Sequence, residues 1–170
     1  MTDKLRIQKM SDEIVMATED DREELMALYK AQLGREFCPW EEGYPGNETI
    51  DFDLSRDALF VMKRDDRIIA AVSIDEDEDV NALPCWDPAL APGGELARLC
   101  VLPDLQNSGI ARKMLQYGME QLKERGFKSI HFLVNQHNTK ALRSYAVFGF
   151  ANVGECYMFE QDFYCYEKAL

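Results

Sequence analysis

The chain has 170 residues, 46% of them hydrophobic, which suits one domain, spanning 1–170, with a substantial core. Its net charge of −12, from 31 acids against 19 bases, disfavours nucleic acid and anionic lipid as partners and suits a cationic small molecule or basic peptide. Met1-Thr2-Asp3-Lys4 carries no apolar signal-like core and no stretch approaches a membrane span, so a cytoplasmic protein is expected.

Ile14-Val15-Met16 reads as a first strand. Thr18-Glu19-Asp20-Asp21 has capping-box spacing and an acidic first turn, and Leu25, Met26, Leu28 and Tyr29 recur at near-helical spacing. A helix is therefore expected from Glu19 to about Gln32, with Gly34 as its stop. Residues 35–48 hold Phe37, Pro39, Trp40, Tyr44 and Pro45 among glycines, the composition of a shaped loop. A short helix follows over Glu48–Ser55. Ala58–Met62 and Arg67–Ile74 are strands joined by a turn at Arg64-Asp65-Asp66. Asp75–Asp79 opens an acidic loop that reaches Gly94.

Glu95–Val101 is a mostly apolar strand ending at Pro103. Gly109–Arg125 is a helix whose apolar face holds Ile110, Met114, Leu115, Gly118 and Leu122, closed by Gly126. Ser129–Val134 is a strand and Asn138–Phe148 a helix. Phe150 to Lys168 reads as two strands joined near Phe159–Asp162. The strand–helix–strand unit over 95–134 implies two parallel neighbours linked by a right-handed crossover, and the terminal hairpins make the remaining pairs antiparallel. The fold class is a mixed α/β sheet.

Five cysteines (Cys38, Cys85, Cys100, Cys156, Cys165) form no C-x-x-C, and the two histidines are His131 and His137. Neither a disulfide framework nor a metal site is expected. His137 reads as an exposed loop residue and His131 as a packed one.

The segment Gln106-Asn107-Ser108-Gly109-Ile110-Ala111 lies between a strand and a helix. Gly109 permits backbone geometry closed to other residues. The first amides of the helix have no intrahelical partner, so with the helix dipole they form an anion site suited to a pyrophosphate. Arg112 and Lys113 add positive charge where the dipole alone would favour acids. No G-x-x-x-x-G-K-[ST] or strand-borne G-x-G-x-x-G is present, which argues against a nucleotide-dependent enzyme.

Gln106-x-x-Gly109-x-Ala111, preceded by Leu99-Cys100-Val101-Leu102-Pro103, resembles the cofactor signature of the GNAT superfamily of N-acetyltransferases. Asn138-x-x-Ala141-x-x-x-Tyr145-x-x-x-Gly149-Phe150 resembles that family's second cofactor segment. Ser108 stands where a basic residue is frequent, and Ala111 where glycine is. Trp40-Glu41-Glu42-Gly43-Tyr44-Pro45 with Ile50-x-x-Asp53 is similar to a group of bacterial GNAT proteins of unassigned substrate.

The resemblance implies a mostly antiparallel sheet splayed between its two central parallel strands and flanked by helices. It implies acetyl-CoA as co-substrate and no metal. Gln106, Asn107, Ser108, Gly109, Ile110, Ala111 and Arg112 would bind the pyrophosphate; Leu99, Cys100 and Val101 would hold the pantetheine arm with Asn138, Ala141 and Tyr145. Glu95 is the expected base and Tyr145 the expected acid, for a primary amine acceptor on a small molecule or peptide. Trp40, Glu41 and Tyr44 suit a bound amine by charge and cation–π contact. The alternative is a GNAT-like module that binds acyl-CoA without transferring the acyl group. A C2 dimer is the commonest closed assembly and so the expected one.

Overall fold

The computed structural model describes residues 11–170; the opening Met1–Lys4 stretch lies outside them. A seven-stranded sheet carries the fold. Its strands are β1 (Asp12–Met16), β2 (Leu59–Arg64), β3 (Arg67–Asp75), β4 (Gly93–Val101), β5 (Ser129–Asn135), β6 (Ala151–Met158) and β7 (Gln161–Ala169). The spatial order is β1-β2-β3-β4-β5-β7-β6, with β4 and β5 parallel and every other neighbouring pair antiparallel. This is the splayed mixed sheet expected from the sequence. The helices are α1 (Arg22–Lys30), α2 (Asn47–Ser55), α3 (Glu78–Asn81), α4 (Ile110–Glu124) and α5 (Thr139–Val147).

Two differences from the sequence expectation have local causes. The first helix opens as a 3-10 turn over Glu19–Asp21, because Asp21 turns its carboxylate back onto the Thr18 amide at 2.9 Å. The segment 75–94, expected as a loop, contains α3. Asp77 Oδ1 accepts from the amides of Asp79 and Val80 and caps that helix, a local bond that an acidic run conceals in sequence.

Hydrophobic clusters occupy both faces of the sheet. On one, Leu25, Leu28 and Tyr29 of α1 and Ile50 of α2 pack on Leu59, Val61 and Ala71. On the other, Met114, Leu115 and Leu122 of α4 pack on Phe60, Val72, Leu96 and Ile130. Gly118 lets α4 lie close on β4: a Cβ there would come within 2.6 Å of Leu96 Cδ1. The crossover β4–α4–β5 is thereby pressed against the sheet, and this fixes where α4 begins.

Leu122 is fully buried on that face. Leu122→Ala removes its contacts and leaves a cavity, so denaturant unfolding should show a loss of about 2–5 kcal/mol.

Candidate active site

β4 and β5 share the register pairs Gly93↔Ser129, Gly94↔Ile130 and Glu95↔His131, and no pair beyond them. β4 then runs on to Val101 and β5 to Asn135 as separate walls. A crevice at the carboxyl ends of parallel strands is a characteristic ligand position in α/β sheets. β4 also bulges: Ala71 pairs with Cys100 but Ser73 with Ala97, so β4 carries one extra residue over that interval, and Arg98 sits there at φ +53.

One end of the crevice meets α4. Gly109 is the residue before the first turn, at φ +83, and a Cβ there would meet nothing within 4 Å, so its requirement is conformational rather than steric. No side chain caps this helix start and no acid stands in its first turn. The first backbone bond back onto the cap runs from the Lys113 amide to the Gly109 carbonyl at 3.2 Å, leaving the amides of Ile110, Ala111 and Arg112 without an intrahelical acceptor. Neighbouring side chains brace the loop. Arg35 donates to Gln106 Oε1 at 2.5 Å, Lys140 donates to Asn107 Oδ1, and Ser108 donates to the Leu105 carbonyl at 2.5 Å. Arg112 lies over the Phe148 ring at 4.7 Å. These residues fit a diphosphate: free amides, local cations and no acid in the first turn of α4.

Asn138 caps α5, its Oδ1 accepting from the Ala141 amide at 3.2 Å, so the cap and a ligand would share that side chain. Tyr145 packs on Phe132 at 4.6 Å between centroids and on Phe150 at 5.9 Å, and burial raises its phenol pKa. Leu99 lies within the bulge in β4, and Cys100 and Val101 follow it.

Where β4 and β5 part, lined by both strands, lies a cavity of about 650 Å³, a size that admits a small molecule. Its floor is Glu95–Arg98, its walls include Trp40, Glu41 and Tyr44 from the 35–46 loop, Asp75 and Asp77, and Phe159 and Phe163 from the C-terminal hairpin. The structure thus brings Glu95 together with Trp40, Glu41 and Tyr44. Trp40 also packs edge-on against Tyr29 at 5.7 Å, which holds the loop to α1.

Glu95 is 8% exposed, and its Oε2 has no hydrogen-bond partner. Burial, then the charges of Asp75 and Asp77, push its carboxyl up to about 8. Register explains the company it keeps. Asp75↔Glu95, Glu95↔His131 and His131↔Glu167 are successive pairs, so four ionisable side chains form one row across β3, β4, β5 and β7 on one face. The segment 78–90 covers the row. Asn81 Oδ1 meets His131 Nε2 at 2.8 Å, Trp86 stacks on the imidazole at 4.4 Å, and the Asp87 amide donates to Glu167 at 3.1 Å. Burial pulls His131 down to about 4, which keeps it neutral at ordinary pH. His137 is exposed.

Sequence reasoning missed Arg98 and gave no role to Asp53. Arg98 donates to both carboxylate oxygens of Asp53, at 2.9 and 3.1 Å, and to Asp75 at 2.9 Å. Asp53 is fully buried and also accepts from Ser73 at 2.7 Å and from Arg56 at 2.8 Å. The signal was a lone basic residue inside a mostly apolar strand, a charge that must find a buried partner.

The family described as "Acetyltransferase (GNAT) family" matches residues 19–150. No curated protein sequence matches the chain. Among solved structures, an N-acetyltransferase from Staphylococcus aureus Mu50 is similar with a TM-score of 0.72 at 18% identity, over 94% of this chain and 98% of that one. The PaiA N-acetyltransferase from Thermoplasma acidophilum, in complex with coenzyme A, gives 0.71 at 18% identity over 95% and 100%. The ribosomal-protein-S18-alanine N-acetyltransferase from Escherichia coli gives 0.70 at 16% identity over 94% of each chain. At these identities the likeness is one of fold.

Asp53→Asn removes the charge that neutralises Arg98, whose side chain is 5% exposed. Breaking a buried pair from one side should cost about 3–5 kcal/mol in urea unfolding; an unchanged midpoint would mean that the pair does not hold β4.

Proposed function

The chain belongs to the acetyltransferase (GNAT) family, and on that premise we propose that it transfers an acetyl group from acetyl-CoA to a primary amine by direct attack in a ternary complex. The observation that carries this reading is Glu95: a buried carboxyl with an unpartnered oxygen, lining a cavity at the point where β4 and β5 part. The pyrophosphate would lie on the free amides of Ile110, Ala111 and Arg112, with the loop Gln106–Gly109 around it. The pantetheine arm would follow Leu99, Cys100 and Val101, with Asn138, Ala141 and Tyr145 opposite.

An acceptor amine arrives as an ammonium and must lose a proton before it can attack. A carboxylate with a pKa near 8 is a better acceptor for that proton than an ordinary glutamate, whose basicity is too low. The amine lone pair then forms the C–N bond at the thioester carbonyl. A backbone N–H near Leu99–Val101, turned out of register by the bulge, would stabilise the resulting oxyanion. The C–S bond breaks, and the departing thiolate takes a proton from the Tyr145 hydroxyl. The proton left on the new amide nitrogen passes to solvent, from which the Tyr145 phenolate is restored, and Glu95 gives up its own proton to solvent. Burial in the Phe132 and Phe150 cluster keeps that phenol protonated until the thiolate forms. Trp40, Glu41 and Tyr44 would receive the acceptor.

Release of CoA thiol from acetyl-CoA across a panel of amines tests the reaction. Binding of acetyl-CoA with no release on any amine would instead favour a non-catalytic acyl-CoA-binding module. With a good acceptor, kcat/KM should rise as pH passes through about 8, because only the ionised form of Glu95 accepts a proton. Glu95→Gln should lower kcat/KM and abolish the part of that rise due to the enzyme. Tyr145→Phe should lower kcat by about a hundredfold or more, with acetyl-CoA affinity nearly intact by calorimetry.

A further inference from the structure

The cavity beside Glu95 has a charge pattern that acetyl transfer to a simple amine does not use in full. Carboxylates of Glu41, Asp75, Asp77 and Glu95 line it, and Arg98 is the lining cation among the described residues. Arg98 is already committed. One terminal nitrogen donates to Asp75 and the other to both oxygens of Asp53, and the Nε that remains is buried without a partner. A ligand carboxylate entering this cavity would lose its hydration, meet no free cation among the described residues and face several acids.

The acids differ in what they lack. Asp75 is paired with Arg98, and Asp77 gives Oδ1 to the cap of α3. Glu95 is sunk in the floor on β4 with an unpartnered oxygen. Glu41 stands exposed on the 35–46 loop and makes no ion pair among the described residues. Trp40 and Tyr44 flank it on the same loop, and Phe159 and Phe163 lie on the C-terminal hairpin. The cavity therefore has an inner acidic position, an outer acidic position and aromatic walls, an arrangement that suits two cationic groups joined by an apolar spacer.

We infer that the acceptor is a diamine-like dication, with its reacting amine beside Glu95 and its second cationic group held at Glu41 between Trp40 and Tyr44. The inference rests on the acetyl-transfer reading and narrows it. It sets aside amino acids, whose carboxylate has no uncommitted counter-charge among the described residues that line the cavity.

The test measures CoA release with straight-chain monoamines, the matched α,ω-diamines and the matched ω-amino acids, across a series of chain lengths, alongside short peptides. The best diamine should exceed its matched monoamine in kcat/KM by about tenfold or more, as expected for one added charge-assisted contact, and the amino acids should fall below both. Glu41→Gln should then reduce the diamine-to-monoamine ratio by about tenfold, the same contact being lost. Glu41 is exposed, so the variant should fold, which circular dichroism checks. A diamine-to-monoamine ratio of one or less, a preference for amino acids or peptides, or an unchanged ratio in Glu41→Gln overturns the inference and leaves acetyl transfer standing. No CoA release with any amine sinks both readings.

Discussion

Two parallel strands in this sheet stay together for only three register pairs and then part. Backbone amides and carbonyls cannot be left buried and unpaired, so the β5-facing edge of β4 beyond Glu95 needs either solvent or a ligand. The parting is built in from both sides. Leu96 is held by α4 through the gap left at Gly118, and the bulge at Arg98 breaks the regular run of β4 against β3. An arginine at positive φ is unfavourable on its own. Here its guanidinium is tied to Asp53 from α2 and Asp75 from β3, so three elements fix the shape of one strand.

That shape has an electrostatic consequence. Because cross-strand partners share a face, the register that places Glu95 opposite Asp75 also lines it up with His131 and Glu167. The segment over 78–90 covers this row, with Trp86 on the imidazole and the Asp87 amide on Glu167. Nε2 of His131 and the carboxylate of Glu167 thus find partners, whereas Nδ1 of His131 and one oxygen of Glu95 do not. An orphaned buried oxygen is costly to folding, and beside a cavity it is open to a ligand, which is why the proposed reaction is centred on Glu95. The aromatic cluster of Phe132, Tyr145 and Phe150 forms an apolar block reaching to the cavity through Phe132.

Much of this architecture was legible in the residues because it depends on short-range physics. The 3.6-residue recurrence of Ile110, Met114, Leu115, Gly118 and Leu122 marked the helix that crosses between the parallel strands, and all five residues are buried on it. Gly109 before that run marked backbone geometry closed to other residues, and the residue takes φ +83 there. Paired acids at Asp65-Asp66 marked a turn, and both take positive φ. By contrast, α3 was hidden, because in an acidic run the one carboxylate that caps a helix looks like its neighbours. Arg98 was hidden because its partners lie 45 and 23 residues away in the chain.

The sequence by itself determined the mixed α/β class, the order of the strands and of every helix but α3, and the cation-flanked helix start at Gly109, since periodicity and turn chemistry are set within a few residues. Only the tertiary structure decided that β4 and β5 separate after Glu95, that Asp75, Glu95, His131 and Glu167 fall in one row, and that Arg98 is spent on Asp53 and Asp75. Those facts depend on strand register and on burial, which are properties of the packed sheet. A carboxylate in the sequence has no environment until the sheet supplies one.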